Sequence, residues 1–133
     1  MNPDAPASLT TLPVAPEWLS ARAAEIFAGL VSVIEEMGIA SASDTGALAL
    51  LASRLEEVEI CTGIIEDLGR TYTTVNESGS EMHRGRPEVA MRSEAMRHAQ
   101  SLLAEFGLTP AARSKVSANK KPESNPFKAL LGG

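Results

Sequence analysis

The sequence has little with which to cross-link itself, hold a metal or enter a membrane. Cys61 is its single cysteine, which excludes an internal disulfide and a cysteine-rich zinc site and is typical of a reducing compartment. No apolar run approaches the roughly 20 residues that a membrane-spanning helix needs. Residues 1–16 lack the basic start and the apolar core of a signal peptide. We therefore expect neither a secreted protein nor a membrane protein.

Aromatic residues are also scarce, at 4% of 133 residues, whereas apolar residues reach 44% and charged residues 22%. This composition supports a folded core and favours packing between aliphatic helices over an aromatic-rich β-sandwich. The length allows one compact domain with tails, not two independent cores. We expect an all-α fold.

Motifs of catalysis and cofactor binding are missing as well. The sequence has no phosphate-binding loop, no glycine-rich dinucleotide turn and no nucleophile elbow. His83 and His98 lack the paired spacing of a metal-binding helix, and adjacent acids such as Glu35 and Glu36 do not face each other on a helix. We expect no enzyme, no cofactor and no metal site.

The first predicted helix lies between Pro16, which suits a first turn, and Gly38, which suits a C-terminal cap. Apolar residues spaced by three and four form its seam: Leu19, Ala23, Ile26, Leu30, Val33 and Met37. This spacing places them on one face of a helix. Residues 1–15 are rich in Pro, Ala, Ser and Thr and are predicted to form a flexible arm.

The second predicted helix is introduced by Ser43 and Asp44 and ends at Gly69. Its seam is spaced in the same way: Leu48, Leu51, Leu55, Val58, Thr62 and Ile65. The short connection predicts an antiparallel helical hairpin. Further apolar residues lie beside this seam, more than one partner helix can cover, among them Leu50, Ile60, Cys61, Ile64 and Leu68. Either the third helix or other subunits cover them.

Residues 71–84 break the helical pattern, and a short β-hairpin and an irregular loop fit them equally well. A third helix is predicted from Pro87 to Gly107. Its inward residues are predicted to be Val89, Met96, Ala99, Leu103 and Phe106. Thr109 and Pro110 are predicted to start a short fourth helix.

Charge is distributed unevenly along the chain. Residues 1–69 contain eleven acidic and two basic residues, a net charge of −9, whereas residues 70–133 contain ten basic and six acidic residues, a net charge of +4. Any anionic partner is therefore expected to meet the second half. Seven basic residues form a predicted strip able to neutralise several phosphates: Arg70, Arg84, Arg86, Arg92, Arg97, Arg113 and Lys115. An ordinary solvated surface explains the same residues.

The segment Leu102–Arg113, LLAEFGLTPAAR, resembles the closing signature of a family of phage terminase small subunits. In that family a helix ends in Phe/Leu-Gly-Leu-Thr-Pro, and an arginine follows after two intervening residues. The upstream order is similar as well, with Trp18 at a helix start, a long helix introduced by Ser-Asp, and basic loop residues before Pro87. The resemblance covers residues 15–117.

The resemblance implies a homo-oligomeric ring that recognises viral double-stranded DNA at a cos or pac packaging-initiation site. It also implies that the protein hands this DNA to the large terminase subunit in the cytoplasm of the host cell. The family regulates the ATPase and nuclease of the large subunit and performs neither reaction. A non-enzymatic α-helical adaptor that bridges proteins without contacting DNA is the alternative.

On this basis we hypothesise that residues 16–117 form a helical oligomerisation and DNA-recognition domain. The extra apolar residues of the helical hairpin would build the ring, and the basic strip would contact DNA. Residues 118–133 are predicted to form a flexible tail, which ends in three apolar residues: Phe127, Leu130 and Leu131. A helical turn that docks on the large subunit and a frayed terminus both account for them.

Overall fold

The structure is a computed structural model and describes residues 11–112 and 114. The chain divides into two compact units, Met1–Ala99 and Gln100–Gly133. The secondary-structure elements follow in the order helix α1 (Ala21–Glu36), a 3-10 turn (Ala42–Asp44), helix α2 (Thr45–Leu68), strands β1 (Thr71–Val75) and β2 (Glu81–Gly85), and helix α3 (Pro87–Glu105). The protein is mainly helical, with one small antiparallel sheet in its described part.

Helix α1 begins later than predicted. Pro16–Leu19 forms a turn in which the Leu19 N–H donates to the Pro16 carbonyl at 3.2 Å. Ser20 is the N-cap, since its Oγ accepts a hydrogen bond from the Ala23 N–H at 3.0 Å. The prediction that Pro16 lies in the first turn is therefore wrong, because the Ser20 hydroxyl fixes the helix start four residues later. Gly38, with φ +74°, follows the helix end as predicted.

The buried face of α1 is rotated from the predicted seam. Four residues of α1 are buried: Ala23, Phe27, Val31 and Ile34. Ala23 is the one predicted seam residue among them, whereas Val33 is 45% exposed. Two rows of α1, each spaced by three and four residues, are apolar, so the sequence pattern fits either. The packing against α2 selects the row that contains Phe27.

Helix α2 agrees more closely with its prediction. Thr45 Oγ1 donates to the Ala42 carbonyl at 2.8 Å at the start of the helix, and Gly69, with φ +90°, follows its last residue. Six residues of α2 are buried: Leu48, Ala49, Leu51, Ala52, Cys61 and Ile65. Ten of the twelve buried hydrophobic residues that the structure describes therefore belong to the α1–α2 hairpin. Burying a leucine or isoleucine side chain contributes about 1.5–3 kcal/mol, so this hairpin supplies most of the described core.

An ion pair fastens the exposed edge of this helical hairpin. Arg22 donates to both carboxylate oxygens of Glu59, from Nε at 2.9 Å and from Nη2 at 2.8 Å, and from Nη1 to Glu25 at 3.0 Å. The hydrogen bond to Arg22 holds the pKa of Glu59 below its ordinary value, and the hydrogen bonds to Glu59 and Glu25 raise the pKa of Arg22. All three side chains are solvent-exposed, so we expect a modest effect on stability.

Residues 71–85 form a β-hairpin, so the irregular loop is excluded. The strands are antiparallel, with Thr71 opposite Gly85 and Val75 opposite Glu81. The Asn76 side chain accepts a hydrogen bond from the Ser80 N–H at 2.8 Å and closes the turn, where Gly79 adopts φ +85°.

Helix α3 begins at Pro87 and has the predicted cap. The Leu108 N–H donates to the Leu103 carbonyl at 2.8 Å, and Gly107 has φ +72°. Ala99 is buried as predicted, but Met96 is 47% exposed and the buried position belongs to Ala95, one residue earlier. The prediction for Met96 is wrong because Ala95 and Ala99, four residues apart, share the covered side of the helix.

In the second unit, a short helical segment begins at Pro110, as predicted. Thr109 caps it, since its Oγ1 accepts a hydrogen bond from the Ala112 N–H at 3.2 Å. Three groups of predicted residues lie outside the described part of the chain: residues 1–10 of the arm, Arg113 with Lys115, and the tail residues Phe127, Leu130 and Leu131.

Candidate nucleic-acid interface and oligomer surface

Helix α2 leaves part of its predicted oligomer surface uncovered. Leu50 and Leu68 are each 56% exposed, Ile60 is 50% exposed and Ile64 is half-buried. Leu50 and Leu68 are eighteen residues, or about five helical turns, apart and therefore point in the same direction. Ile60, Ile64 and Leu68 follow one another at intervals of four and share one side of the helix.

Cys61 differs from the other four predicted interface residues because it is buried within the single chain. It is 1% exposed, and its Sγ lies 3.8 Å from Oε2 of Glu57. Burial and the neighbouring Glu57 carboxylate raise the pKa of the thiol. Helix α3 passes this part of α2, where Arg92 Nη1 donates to Thr62 Oγ1 at 3.4 Å. Within one chain, Cys61 is therefore a core residue.

A second apolar surface follows α1. Trp18 is 64% exposed and Val33 is 45% exposed; of the predicted seam between them, Leu19, Ile26 and Leu30 are half-buried and Ala23 is buried. The row that the sequence suggested as the hairpin seam thus lies beside the buried row and stays partly in contact with water. A monomeric protein rarely exposes apolar rows on two helices.

The described arginines of the predicted strip fall into two groups. Arg70, Arg84 and Arg97 are exposed, whereas Arg86 and Arg92 are half-buried. Arg92 and Arg97 are five residues apart on α3, so they are separated by about 140° around the helix axis. The two arginines of α3 therefore point to different sides of that helix.

Arg86 joins the β-hairpin to the end of α2. Its Nε donates to the Gly69 carbonyl at 3.0 Å and its Nη2 to the Leu68 carbonyl at 3.4 Å. Its guanidinium carbon lies 5.7 Å from the centroid of the Tyr72 ring, and its backbone N–H donates to the Arg70 carbonyl at 2.8 Å. These contacts occupy the carbonyls that the α2 C-terminus leaves without helical partners, which favours a positively charged donor.

This role of Arg86 was missed at the level of sequence. The residue lies seventeen positions after Gly69, and only the β-hairpin brings the two together. The available signal was the strand-prone run Thr71–Val75 with turn residues after it, because a closed hairpin returns the chain to the place where it left α2.

The basic excess of the second half lies beyond the described hairpin and helix. Residues 70–112 contain five arginines and five glutamates and are neutral overall, whereas residues 113–133 contain five basic residues and one acid. The net charge of +4 thus belongs to the last 21 residues. The positive charges of the arginines in the β-hairpin and α3 are balanced by glutamates of the same segment.

The described part of the chain contains no group of three or more His, Cys, Asp or Glu side chains that could hold a metal ion. Among residues 11–112 and 114, no helix is long and apolar enough to cross a bilayer. Near Cys61, Glu88 Oε1 is buried without a hydrogen-bond partner.

Comparison with known proteins identifies the family. The family model for the small subunit of phage terminase matches residues 23–123, which include α1 from its third residue, helices α2 and α3 and the β-hairpin. No curated protein and no solved structure matches the chain. The matched region covers about three quarters of the sequence and contains the LLAEFGLTPAAR segment. The chain therefore belongs to the family of phage terminase small subunits.

Proposed function

We propose that this protein is the DNA-recognising subunit of a viral packaging terminase. It binds double-stranded viral DNA at a cos or pac initiation site as a homo-oligomeric ring and regulates the ATPase and nuclease of the large subunit, without catalysing either reaction. The observation that carries the proposal is the family match over residues 23–123, since membership implies a role in phage DNA packaging. The ring, the DNA site and the regulation are inferred.

The ring is supported by two separate apolar surfaces on one chain. A closed ring needs a head-to-tail contact, in which two different patches meet at every interface. The uncovered side of α2, with Leu50, Ile60 and Leu68, supplies one patch. The half-exposed row of α1 around Val33 supplies the other. In this arrangement Ile64 lies at the edge of the contact and Cys61 lies beneath it.

DNA binding is supported by the exposed arginines and by the basic last segment. Arg70, Arg84 and Arg97 are exposed, and residues 113–133, which include Arg113 and Lys115, carry the net positive charge. A weak basic patch gains avidity when a ring repeats it, because each contact after the first is made at high effective concentration.

The charge balance of residues 70–112 favours the alternative function, a helical adaptor that does not contact DNA. Residues 70–112 are neutral overall, and Arg86 and Arg92 donate hydrogen bonds within the chain. A helical adaptor that bridges terminase proteins without touching DNA would have such a surface. The two functions differ in one measurable property, which is binding of the purified protein to duplex DNA.

The large subunit is the proposed protein partner, in the cytoplasm of the infected cell and away from membranes. The tail residues Phe127, Leu130 and Leu131 are proposed to dock on it through a short apolar turn, which would occupy a groove in the way amphipathic segments do. Deleting residues 122–133 should then abolish stimulation of the large subunit's ATPase. Full stimulation by the truncated protein would contradict the docking.

Light scattering and DNA titration test the proposal together. A closed oligomer of defined mass that binds a 40-bp duplex, with affinity falling steeply as salt is raised, is the expected result. A monomer or dimer would contradict the ring. A large oligomer with no affinity for DNA, which still stimulates the large subunit, would establish the adaptor.

A further inference from the structure

The two faces of the β-hairpin differ in charge. Side chains alternate between faces along a strand, and directly opposite residues share a face. The register pairs Tyr72 with Arg84 and Thr74 with Met82, so these four lie on one face, which we call the arginine face. The opposite face is formed by the remaining strand residues: Thr71, Thr73, Val75, Glu81, His83 and Gly85. The arginine face has no carboxylate, whereas Glu81 lies on the other face.

Side-chain contacts agree with this assignment. Arg84 Nε donates to Thr74 Oγ1 at 3.4 Å, and Arg84 Nη2 lies 3.8 Å from Met82 Sδ, both on the arginine face. On the opposite face, Thr73 Oγ1 and His83 Nδ1 are 3.2 Å apart. The Arg84 contacts are long and exposed, so a stronger acceptor can replace them.

The β-hairpin is a narrow and mostly exposed ribbon. Nine of its ten strand residues are exposed, and Thr74 is half-buried. Two strands about 4.8 Å apart and roughly 17 Å long form a ribbon narrow enough for the major groove of B-form DNA, which is about 12 Å wide. Each strand consists of five residues, so the ribbon can lie across about half a helical turn of the duplex.

Arg86 anchors the base of the β-hairpin to helix α2. Its hydrogen bonds to the Leu68 and Gly69 carbonyls and its stacking on Tyr72 connect the arginine face to the C-terminal end of α2. Because these contacts use its guanidinium, Arg86 is a positioning residue, and Arg84 is the arginine of this face that remains available to a ligand.

We propose that the β-hairpin inserts its arginine face into the major groove of double-stranded DNA, where Arg84 contacts base edges and Arg86 holds the hairpin at a fixed angle. This inference rests on the proposed DNA-binding function and specifies the element and the groove. Arg84 can donate two hydrogen bonds to a guanine, Thr74 offers a hydroxyl, and Met82 offers an apolar contact for a thymine methyl group.

Photo-crosslinking from adjacent residues tests which face meets DNA. Benzoylphenylalanine replaces Thr74 in one variant and Thr73 in the other, so the two probes differ by one residue and point to opposite faces. The ligand is a 40-bp duplex selected by the wild-type protein from a random library. Crosslinks from position 74 and none from position 73 are expected. Crosslinks from neither position, or equally from both, would overturn the proposal.

Affinity measurements with two exposed neighbours provide the second test. Arg84→Gln should weaken binding of the selected duplex about tenfold, the loss expected for one good base contact. His83→Gln, on the opposite face, should change it less than twofold. A duplex whose cytosines carry glucosylated hydroxymethyl groups fills the major groove, so it should bind wild type weakly and lose little more on Arg84→Gln.

Arg86→Lys separates positioning from charge. Lysine keeps the charge but cannot donate to two carbonyls and stack on Tyr72 together. Arg86→Lys should therefore lose the position-74 crosslink as fully as Arg86→Gln, with helix content unchanged by circular dichroism. Restoration of crosslinking by lysine would show that Arg86 acts as a plain charge.

The outcomes also distinguish this inference from the proposed function. If wild type binds no duplex, the DNA-binding function fails and the inference fails with it. A second outcome is that wild type binds DNA with an affinity that Arg84→Gln, His83→Gln and glucosylation of the duplex all leave unchanged. In that case the DNA-binding function is retained, and the β-hairpin does not contact the bases. Crosslinking of position 74 to the large subunit instead of DNA would assign the arginine face to a protein.

Discussion

The Ser20 hydroxyl joins two helices at one point, because it accepts a hydrogen bond from the Ala23 N–H and donates one to Glu56 Oε2 at 2.6 Å. The first contact caps α1, and the second reaches across to α2. One short side chain therefore both caps α1 and links its N-terminus to α2.

Replacing Ser20 with alanine should lower the free energy of unfolding by about 1 kcal/mol, the usual effect of losing an N-cap. Urea denaturation at one fixed protomer concentration measures it, because assembly also changes apparent stability. Ser32→Ala, at an exposed position within α1, is the control and should be neutral or slightly stabilising. Equal losses in the two variants would contradict the capping role.

The Arg22–Glu59 pair should make stability depend on pH in the acid range. The pKa of Glu59 in the folded protein lies below its ordinary value of 4.5, so the pair contributes fully above that pH. Its contribution is lost as the pH falls through the lowered pKa of the folded state. Arg22→Gln should reduce the acid-dependent part of the unfolding midpoint between pH 5 and pH 3. An unchanged pH profile would contradict this assignment.

The Cys61 thiol should be unreactive in the folded protein. The thiol is buried and its pKa is raised, so neither access nor ionisation favours reaction. A thiol-exchange reagent at pH 8 should react only as fast as the protein opens, and quickly once urea has unfolded it. Rapid stoichiometric labelling of the native protein would show that α3 does not cover this part of α2.

Substitution of the exposed α2 residues should dissociate the proposed ring and preserve the fold. The triple variant Leu50→Gln, Ile60→Gln and Leu68→Gln removes the most exposed apolar side chains of α2. Light scattering should report a smaller species, with helix content unchanged by circular dichroism. Met91→Gln with Met96→Gln, on α3 at similar exposure, is the matched control and should keep the wild-type mass.

Two glycines should respond to alanine with opposite signs. Gly63 lies inside α2, and beyond the backbone of its own helix an added Cβ would meet no heavy atom within 4 Å, so Gly63→Ala should stabilise the protomer by about 0.5–1 kcal/mol. Gly79 has φ +85°, so Gly79→Ala should destabilise by about 1 kcal/mol or more. Thermal unfolding measures both. A Gly63→Ala variant that is destabilised as an oligomer would place a neighbouring helix against Gly63.

The starts and ends of most elements could be predicted because their signals are local. Pro87 opens α3, and the Gly107–Leu108 cap closes it through contacts within six residues. The β-hairpin was one of two alternatives, since its strands need each other and the turn alone does not choose between hairpin and loop. Exceptions such as Ser20 arise where a second capping residue competes with an earlier proline.

Burial was harder to predict because it depends on a partner helix. Phe27 and Val33 lie on neighbouring rows of α1, and either row satisfies helical spacing; only the position of α2 decides that Phe27 is covered. Arg86 shows the same limit at the candidate site. Its sequence neighbours suggested a phosphate contact, whereas its three-dimensional neighbours are the last carbonyls of α2.

The helical hairpin is acidic, which makes its surface unfavourable for contact with a polyanion. Residues 1–69 carry a net charge of −9, and this repels phosphate from α1 and α2 at low ionic strength. In the proposed complex, this repulsion turns an approaching duplex away from α1 and α2 before any arginine touches it. Copies of the helical hairpin repel one another as well, so added salt should tighten the proposed ring while weakening the proposed binding to DNA.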